Sequence, residues 1–280
     1  MTIKETLKKV IEELKKEGIE DASNKARILL AHILKIRKEE ILLKTEEEFP
    51  IELESVWKNS VEKLKKQVPL QYLIHHQEFM KLDFYVDEKV LIPQPDTEIL
   101  VEEVIQIAKK KPNGSILDVC SGSGCIGISL AHYLKGAKVT LSDISIEALK
   151  IAKQNAEKNG VQVDITDSNL WENIQEKHWD IIVSNPPYIR KKEILGLSRE
   201  VQQEPVIALD GGEDGLDFYR KIIFQADQFL FPAGYLALEI GYDQKEEVLS
   251  FIEQAKVYEK VICKEDLAGR DRVIIAKRKG

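Results

Sequence analysis

From residue 115 onward the chain alternates between two hydrophobic periods. Short apolar runs at residues 115–120, 138–141, 162–166, 180–183 and 235–240 read as strands. Between them, residues 126–134, 144–158, 216–230 and 244–253 carry apolar side chains at helical spacing, the second of these closing at Asn159-Gly160. Strands separated by helices cannot pair as hairpins. Each return needs a crossover, so the strands run parallel and are covered on both faces. The pattern predicts an α/β fold with a doubly wound, Rossmann-like sheet. Two last runs, at residues 257–262 and 272–276, follow one another without a helix and predict an antiparallel end.

The first 69 residues differ. Ile3, Leu7, Val10, Ile11 and Leu14 share one helical face that Gly18 ends, and Ala26, Leu29, Leu30, Ile33 and Leu34 form the next. A short helix at 38–44 and a longer one at 51–66, stopping before Pro69, complete a small helical bundle. This segment holds 15 Lys and Arg against 14 Asp and Glu, a mixed solvated surface in place of a nucleic-acid stripe. Partner docking is its functional reading. Residues 70–95 read as a β-hairpin and linker, with Phe79, Leu82, Phe84, Val86 and Val90 inside. The large α/β domain then covers residues 96–280, starting with a helix capped by Asp96 or Thr97. No apolar run approaches a membrane span, and no apolar leader follows Met1, so the cytoplasm is expected. Cys120, Cys125 and Cys263 lack metal spacing, and the net charge of −7 argues against a large phosphate-backbone footprint.

Two stretches carry chemistry. In Leu117-Asp118-Val119-Cys120-Ser121-Gly122-Ser123-Gly124-Cys125-Ile126-Gly127, glycines let the backbone turn sharply between strand and helix and approach a ligand closely. Gly122, Gly124 and Gly127 fit the dinucleotide fingerprint, with Asp143 near the expected ribose acid, so a nicotinamide-dependent dehydrogenase is a rival. Asp118 would repel a pyrophosphate but suit the cationic amino-acid end of S-adenosyl-L-methionine. Asp143 would then accept both ribose hydroxyls. The alternative for Asp143 is to cap the helix at Ile144. After the third strand, Asn169 and Leu170 are the candidates for the adenine edge and face, with Trp171 assigned to the core.

The second stretch is Asn185-Pro186-Pro187-Tyr188, at the carboxyl end of an apolar strand, where open α/β sheets bind ligands. The prolines hold the chain extended and remove two backbone donors. The Asn185 side-chain oxygen, the Pro186 carbonyl and the Tyr188 ring can accept two N–H groups of a planar amide or amine and pack on its face. A plain proline turn explains the tetrapeptide alone equally well.

With Pro69-Leu70-Gln71-Tyr72, the run from Ile92 to Glu98, Glu204-Pro205, the run from Asp210 to Leu216 and the run from Asp266 to Arg272, the chain resembles the bacterial release-factor glutamine methyltransferases along essentially its whole length. It departs from that pattern at His75, where Gly is usual, at Gln94, and at Cys120-Ser121. The resemblance implies a class I S-adenosylmethionine-dependent methyltransferase sheet. It also implies N5-methylation of the glutamine in the Gly-Gly-Gln motif of peptide chain release factors, the helical domain docking that substrate. Asn185, Pro186 and Tyr188 would be catalytic, and Asn185, Pro186, Pro187 and Tyr188 would bind substrate. The cofactor would lie on Asp118, Cys120, Ser121, Gly122, Ser123, Gly124, Asp143, Asn169, Leu170 and Asn185. A monomer without direct nucleic-acid or membrane contact is expected. Alternatives are an adenine or cytosine N-methyltransferase of DNA, which shares the tetrapeptide, and a methylase of glutamine in another protein.

Overall fold

The computed structural model describes residues 1–174 and 178–280. They fall into two compact units, Met1–His75 with Ser198–Gln203 and His76–Leu197 with Glu204–Gly280.

The first unit is helical. Thr2 accepts from the Glu5 amide while the Glu5 carboxylate accepts from the Thr2 amide, so α1 (Ile3–Lys16) starts on a reciprocal cap. It buries Ile3, Leu7, Val10 and Leu14 against Ala26, Leu29, Leu30 and Ile33 of α2 (Ala22–Leu34). The helix expected at 38–44 is a 3₁₀ turn over Lys38–Leu43. Only Ile41 of its apolar residues reaches the core, while Leu42 and Leu43 are exposed. Behind Pro50 a 3₁₀ turn precedes α3 (Glu54–Lys65), which contributes Trp57, Val61 and Leu64. Residues 70–74, read with the hairpin in the sequence, form α4 (Leu70–Ile74), and Leu70 packs into this same core. Each such aliphatic side chain contributes about 1.5–3 kcal/mol on full burial.

The second unit begins with a hairpin, β1 (Gln77–Phe79) and β2 (Leu82–Phe84). Its two turn residues, Met80 and Lys81, both have positive φ, as a two-residue loop requires. Val86 and Val90 are buried beyond it. Then follow α5 (Thr97–Ala108), β3 (Ser115–Val119), α6 (Cys125–Tyr133), β4 (Lys138–Asp143), α7 (Ile146–Lys158), β5 (Asp164–Asp167) and β6 (Trp179–Ser184). The chain continues through α8 (Val206–Leu209), α9 (Asp217–Gln225), β7 (Leu230–Glu239), α10 (Lys245–Ala255), β8 (Tyr258–Glu265) and β9 (Asp271–Arg278). The expected helix over 216–230 stops at Gln225, and β7 takes residues from Leu230 on, because Trp179 hydrogen-bonds to Phe229 and opens the β6–β7 ladder early.

Among the described residues seven strands form one sheet in the order β5-β4-β3-β6-β7-β9-β8, parallel from β5 to β7 and antiparallel through β9 and β8. Its faces alternate as the pleat demands. Ile116, Ile181, Val183 and Ala237 pack toward α5 and α6, whereas Leu117, Val119, Ile182, Leu236 and Leu238 pack toward α9 and α10. Strand order reverses between β3 and β6, so the crevice for a ligand lies beyond the carboxyl ends of those two neighbours.

Candidate active site

The glycine loop leaves β3 at that crevice. Cys120, Gly122 and Gly124 all have positive φ, so the loop turns through three left-handed residues within five positions. At Gly122 an added Cβ would meet nothing within 4 Å, which leaves that side of the loop open to a ligand. At Gly127 a Cβ would fall 2.2 Å from Leu141 Cδ2, so glycine lets α6 lie directly on β4. Asp118 is turned inward, contrary to the expectation that it faces a ligand. It is 0% exposed, its Oδ2 accepts from the Gly127 amide at 2.9 Å, and its Oδ1 has no partner among the described residues. The strand pleat places it under α6 on the same face as Ile116, where burial pushes its carboxyl up to about 8, assisted by Asp143 and opposed by the Gly127 amide. It anchors the loop from below. Ser121 and Ser123 are also buried, and Asn155 of α7 holds the Ser123 carbonyl at 2.9 Å while its Oδ1 receives the Tyr85 amide at 2.7 Å. Nothing in the sequence pattern singled out Asn155.

Asp143 closes β4 and is half-buried. Its Oδ2 accepts from the Gly122 amide and its Oδ1 from the Ser145 amide, both at 2.8 Å. Ser145 caps α7 through its own hydroxyl, so the helix starts two residues later than expected and Asp143 ties the glycine loop instead. Burial raises its carboxyl, and the three amides of Ser145, Gly122 and Ile144 oppose that shift. Of its roughly four lone-pair sites, these three amides leave one for a hydroxyl. Ile144, immediately after it, is 49% exposed at the crevice edge, an apolar surface the sequence reading overlooked. Asn169 is exposed and donates to Glu172 at 2.9 Å. Leu170 takes φ 52 and is buried with Leu117 and Val119, so its side chain fills core space and does not face an open edge. Trp171 is in the core as expected, stacked on Phe229 at 4.7 Å.

Ser184 is the register partner of Val119, and its hydroxyl donates to the Val119 carbonyl at 2.6 Å. This pairing brings Asn185-Pro186-Pro187-Tyr188 beside the glycine loop. The tetrapeptide is supported from behind by the glycine-rich segment that follows it. The Ile189 amide donates to the Leu209 carbonyl at 3.0 Å and the Gly211 amide to the Ile189 carbonyl at 2.9 Å, and a Cβ on Gly211 would lie 2.7 Å from Tyr188 Cα. Gln244, buried at the start of α10, donates to the carbonyls of Tyr188 and Gly215 and accepts from the Gly241 amide, at 2.9, 3.1 and 3.0 Å. Glu204, also buried, takes the Ile92 amide at 2.9 Å.

The Asn185 side chain donates through Nδ2 to Thr97 Oγ1 at 3.3 Å, which directs its Oδ1 away from Thr97. Among the described residues no backbone donor reaches the Pro186 carbonyl. Asn185 is half-buried and Pro186 buried at this strand end. Tyr188 is half-buried and its hydroxyl lies 3.4 Å from Glu239 Oε1, at the end of β7. Burial raises the Tyr188 phenol, and the Glu239 charge adds to it. Thr97 carried only a capping role in the sequence, and Glu239 none. Both lie on segments far from the tetrapeptide in sequence and reach it only through the fold. His76 pairs with Asp83 at 2.8 Å on the exposed hairpin, and His75 takes φ 50. His75 and Cys120 are thus both non-glycine residues at left-handed positions, a backbone cost of about 1–2 kcal/mol each.

Residues 94–261 match the Methyltransferase small domain family and residues 5–74 the PrmC N-terminal domain family. The release factor glutamine methyltransferase of Clostridium acetobutylicum is 42% identical over 287 residues, covering 100% of this chain and 100% of that protein. The release factor glutamine methyltransferase of Moorella thermoacetica is 39% identical over 282 residues, with 100% and 99% covered. In fold, the chain is similar to a methyltransferase from Pyrococcus furiosus, 21% identical, with a TM-score of 0.51 over 71% of this chain and 90% of that one.

Proposed function

The chain belongs to the release factor glutamine methyltransferase family, and on that premise we propose that it transfers a methyl group from S-adenosyl-L-methionine to the N5 amide nitrogen of the glutamine in the Gly-Gly-Gln motif of peptide chain release factors. The observation that supports this reading is the Val119–Ser184 register, which sets the Asn185–Tyr188 tetrapeptide next to the glycine loop. The loop suits this cofactor: Gly122 leaves room for close approach, Asp143 offers a remaining lone pair toward a ribose hydroxyl, and Ile144 offers an exposed apolar face. Ser121, Ser123, Gly124 and Cys120 shape the same turn. When bound, S-adenosyl-L-methionine supplies an electrophilic methyl on sulfonium.

A carboxamide nitrogen is a poor nucleophile because its lone pair is delocalised. Asn185 Oδ1 and the Pro186 carbonyl each accept one of its N–H groups, and they favour the positive charge that develops as the nitrogen attacks. Tyr188 packs on the amide plane, with Pro187 keeping the segment extended. Holding the nitrogen in line contributes through proximity, up to ~7–11 kcal/mol in favourable cases. The methylated nitrogen is strongly acidic and loses its proton to solvent, so no general base is needed. The helical unit, with its mixed charge, is the docking region for the release factor.

Mass spectrometry of a release factor's Gly-Gly-Gln peptide after incubation with this chain and S-adenosyl-L-methionine tests the proposal. A gain of one methyl on glutamine is expected, and Asn185→Ala should abolish it even at saturating cofactor. Transfer to DNA and not to the release factor would overturn the reading.

A further inference from the structure

Behind the tetrapeptide lies a buried group that the mechanism above does not use. Glu239 ends β7 at 2% exposure, and its Oε2 has no hydrogen-bond partner among the described residues. A buried carboxylate oxygen without a partner is a stability cost, which favours a functional reason for the residue. Two hydroxyls connect this carboxyl with the expected substrate site. Tyr188 lies 3.4 Å from Oε1, and the Thr97 hydroxyl is among the groups that favour its ionised form. Thr97 in turn accepts from Asn185 Nδ2 at 3.3 Å.

Resting on the functional reading above, we propose that Glu239 is a positioning residue for methyl transfer, acting through the Thr97 and Tyr188 hydroxyls to fix the orientation of the Asn185 amide and of the Tyr188 ring. A hydroxyl has one proton. While Glu239 is ionised it accepts the hydrogen bond of the Thr97 O–H, so Thr97 can only accept from Asn185, and Asn185 must present its NH₂ to Thr97 and its oxygen to the substrate. If Glu239 carries a proton, it donates to Thr97, and the Thr97 proton turns toward Asn185. Asn185 then meets it with its oxygen, and its NH₂ faces the substrate N–H, donor against donor. The same protonation removes the acceptor that orients the Tyr188 hydroxyl. The β7 end itself is held by Tyr219, whose hydroxyl donates to the Glu239 carbonyl at 3.0 Å.

The ionisable groups that face this carboxyl are Tyr188 after β6, Tyr219 on α9, Cys125 on α6, Asp96 before α5 and Arg272 on β9. Arg272 favours its ionised form and Asp96 opposes it, while Arg272 itself is held by Asp266 at 3.1 Å and by Asp96 at 3.3 Å. Burial, the largest influence, raises Glu239 to about 7. Methyl transfer should therefore rise with pH through that value.

The test uses the full chain with S-adenosyl-L-methionine and a release factor, measuring kcat, both KM values and cofactor affinity by calorimetry from pH 6 to 8.5. Thr97→Val should lower kcat about 10–100-fold, the scale of a misplaced reacting group, with cofactor affinity within about 2-fold. Thr97→Ser, which keeps the hydroxyl, should recover most of the loss. Glu239→Gln should lower kcat and remove the rise near pH 7, and retained cofactor binding reports an intact fold. Wild-type transfer with an unaffected Thr97→Val, or an unaltered pH rise in Glu239→Gln, overturns this inference alone. No transfer by the unmodified chain overturns the functional reading and the inference together.

Discussion

Replacing Gly127 with alanine should lift α6 from the strand beneath it and loosen the glycine loop. The added Cβ would lie 2.2 Å from Leu141 Cδ2, 3.0 Å from Asp118 Oδ2 and 3.2 Å from Val139 Cγ1. Carbon atoms prefer about 3.5–4.0 Å, so the overlap with Leu141 is roughly an ångström or more. Leu141 is 0% exposed, in the core between α6 and the sheet. Overpacking of this kind costs about 1–3 kcal/mol. Alanine is better than glycine within a helix by about 1 kcal/mol, which offsets part of it. A net loss of about 1–2 kcal/mol is expected, because the shift also strains the 2.9 Å bond from the Gly127 amide to a carboxyl already short of partners. The assay is a double-mutant cycle in urea with Leu141→Ala. Leu141→Ala alone leaves a cavity worth about 2–5 kcal/mol, and the new methyl occupies part of it. The double variant should therefore be more stable than the sum of the singles by about 1 kcal/mol or more. Additive losses would refute the contact argument, since they would mean that Leu141 does not limit the approach of α6.

At Gly122 the same substitution meets no atom, but φ is 53. Gly122→Ala should weaken S-adenosyl-L-methionine binding about 10-fold or more in calorimetry, with a backbone cost of only about 1–2 kcal/mol; unchanged affinity would move the ligand off this loop. Gln244→Ala strands the Gly241 amide and the Tyr188 and Gly215 carbonyls. About 2–4 kcal/mol should be lost along with methyl transfer, and a change under about 0.5 kcal/mol in denaturation would show that these bonds do not support the site. Burial holds Glu204 up to about 7, against the opposing Ile92 amide, from an ordinary value of 4.5. Because the folded value is the higher one, the native chain binds the extra proton. The associated stability is present below about pH 4.5 and lost as pH rises through about 7, by at most roughly 3 kcal/mol. Glu204→Gln should therefore gain on the parent between pH 5 and pH 8 in paired unfolding curves; a constant gap between the two would contradict it.

The sheet and its two motifs were legible in the sequence because both depend on local chemistry. Alternating periods place strands and helices, glycines mark the loop, and prolines fix the tetrapeptide. Expectation and fold differ where a choice depends on what packs above or below. Asp118 reads as a ligand-facing acid just before the loop, yet the pleat turns it under α6. Leu170 reads as an open-edge residue, yet φ 52 directs it into the core. The helix over 144–158 starts late because Asp143 spends its oxygens on the Gly122 and Ser145 amides.

By itself, then, the sequence determined the parallel α/β plan, the helical first segment, the glycine loop and the extended Asn-Pro-Pro-Tyr segment, since each follows from residue spacing and backbone chemistry within a short window. Tertiary structure alone decided that β3 and β6 are neighbours, with Val119 opposite Ser184, so that two motifs some sixty residues apart share one crevice. It also brought Thr97, Glu239 and Gln244 behind the tetrapeptide. Such partners leave no periodic trace, because a hydrogen bond between distant segments depends on how strands are ordered and not on what lies next to each residue in the chain.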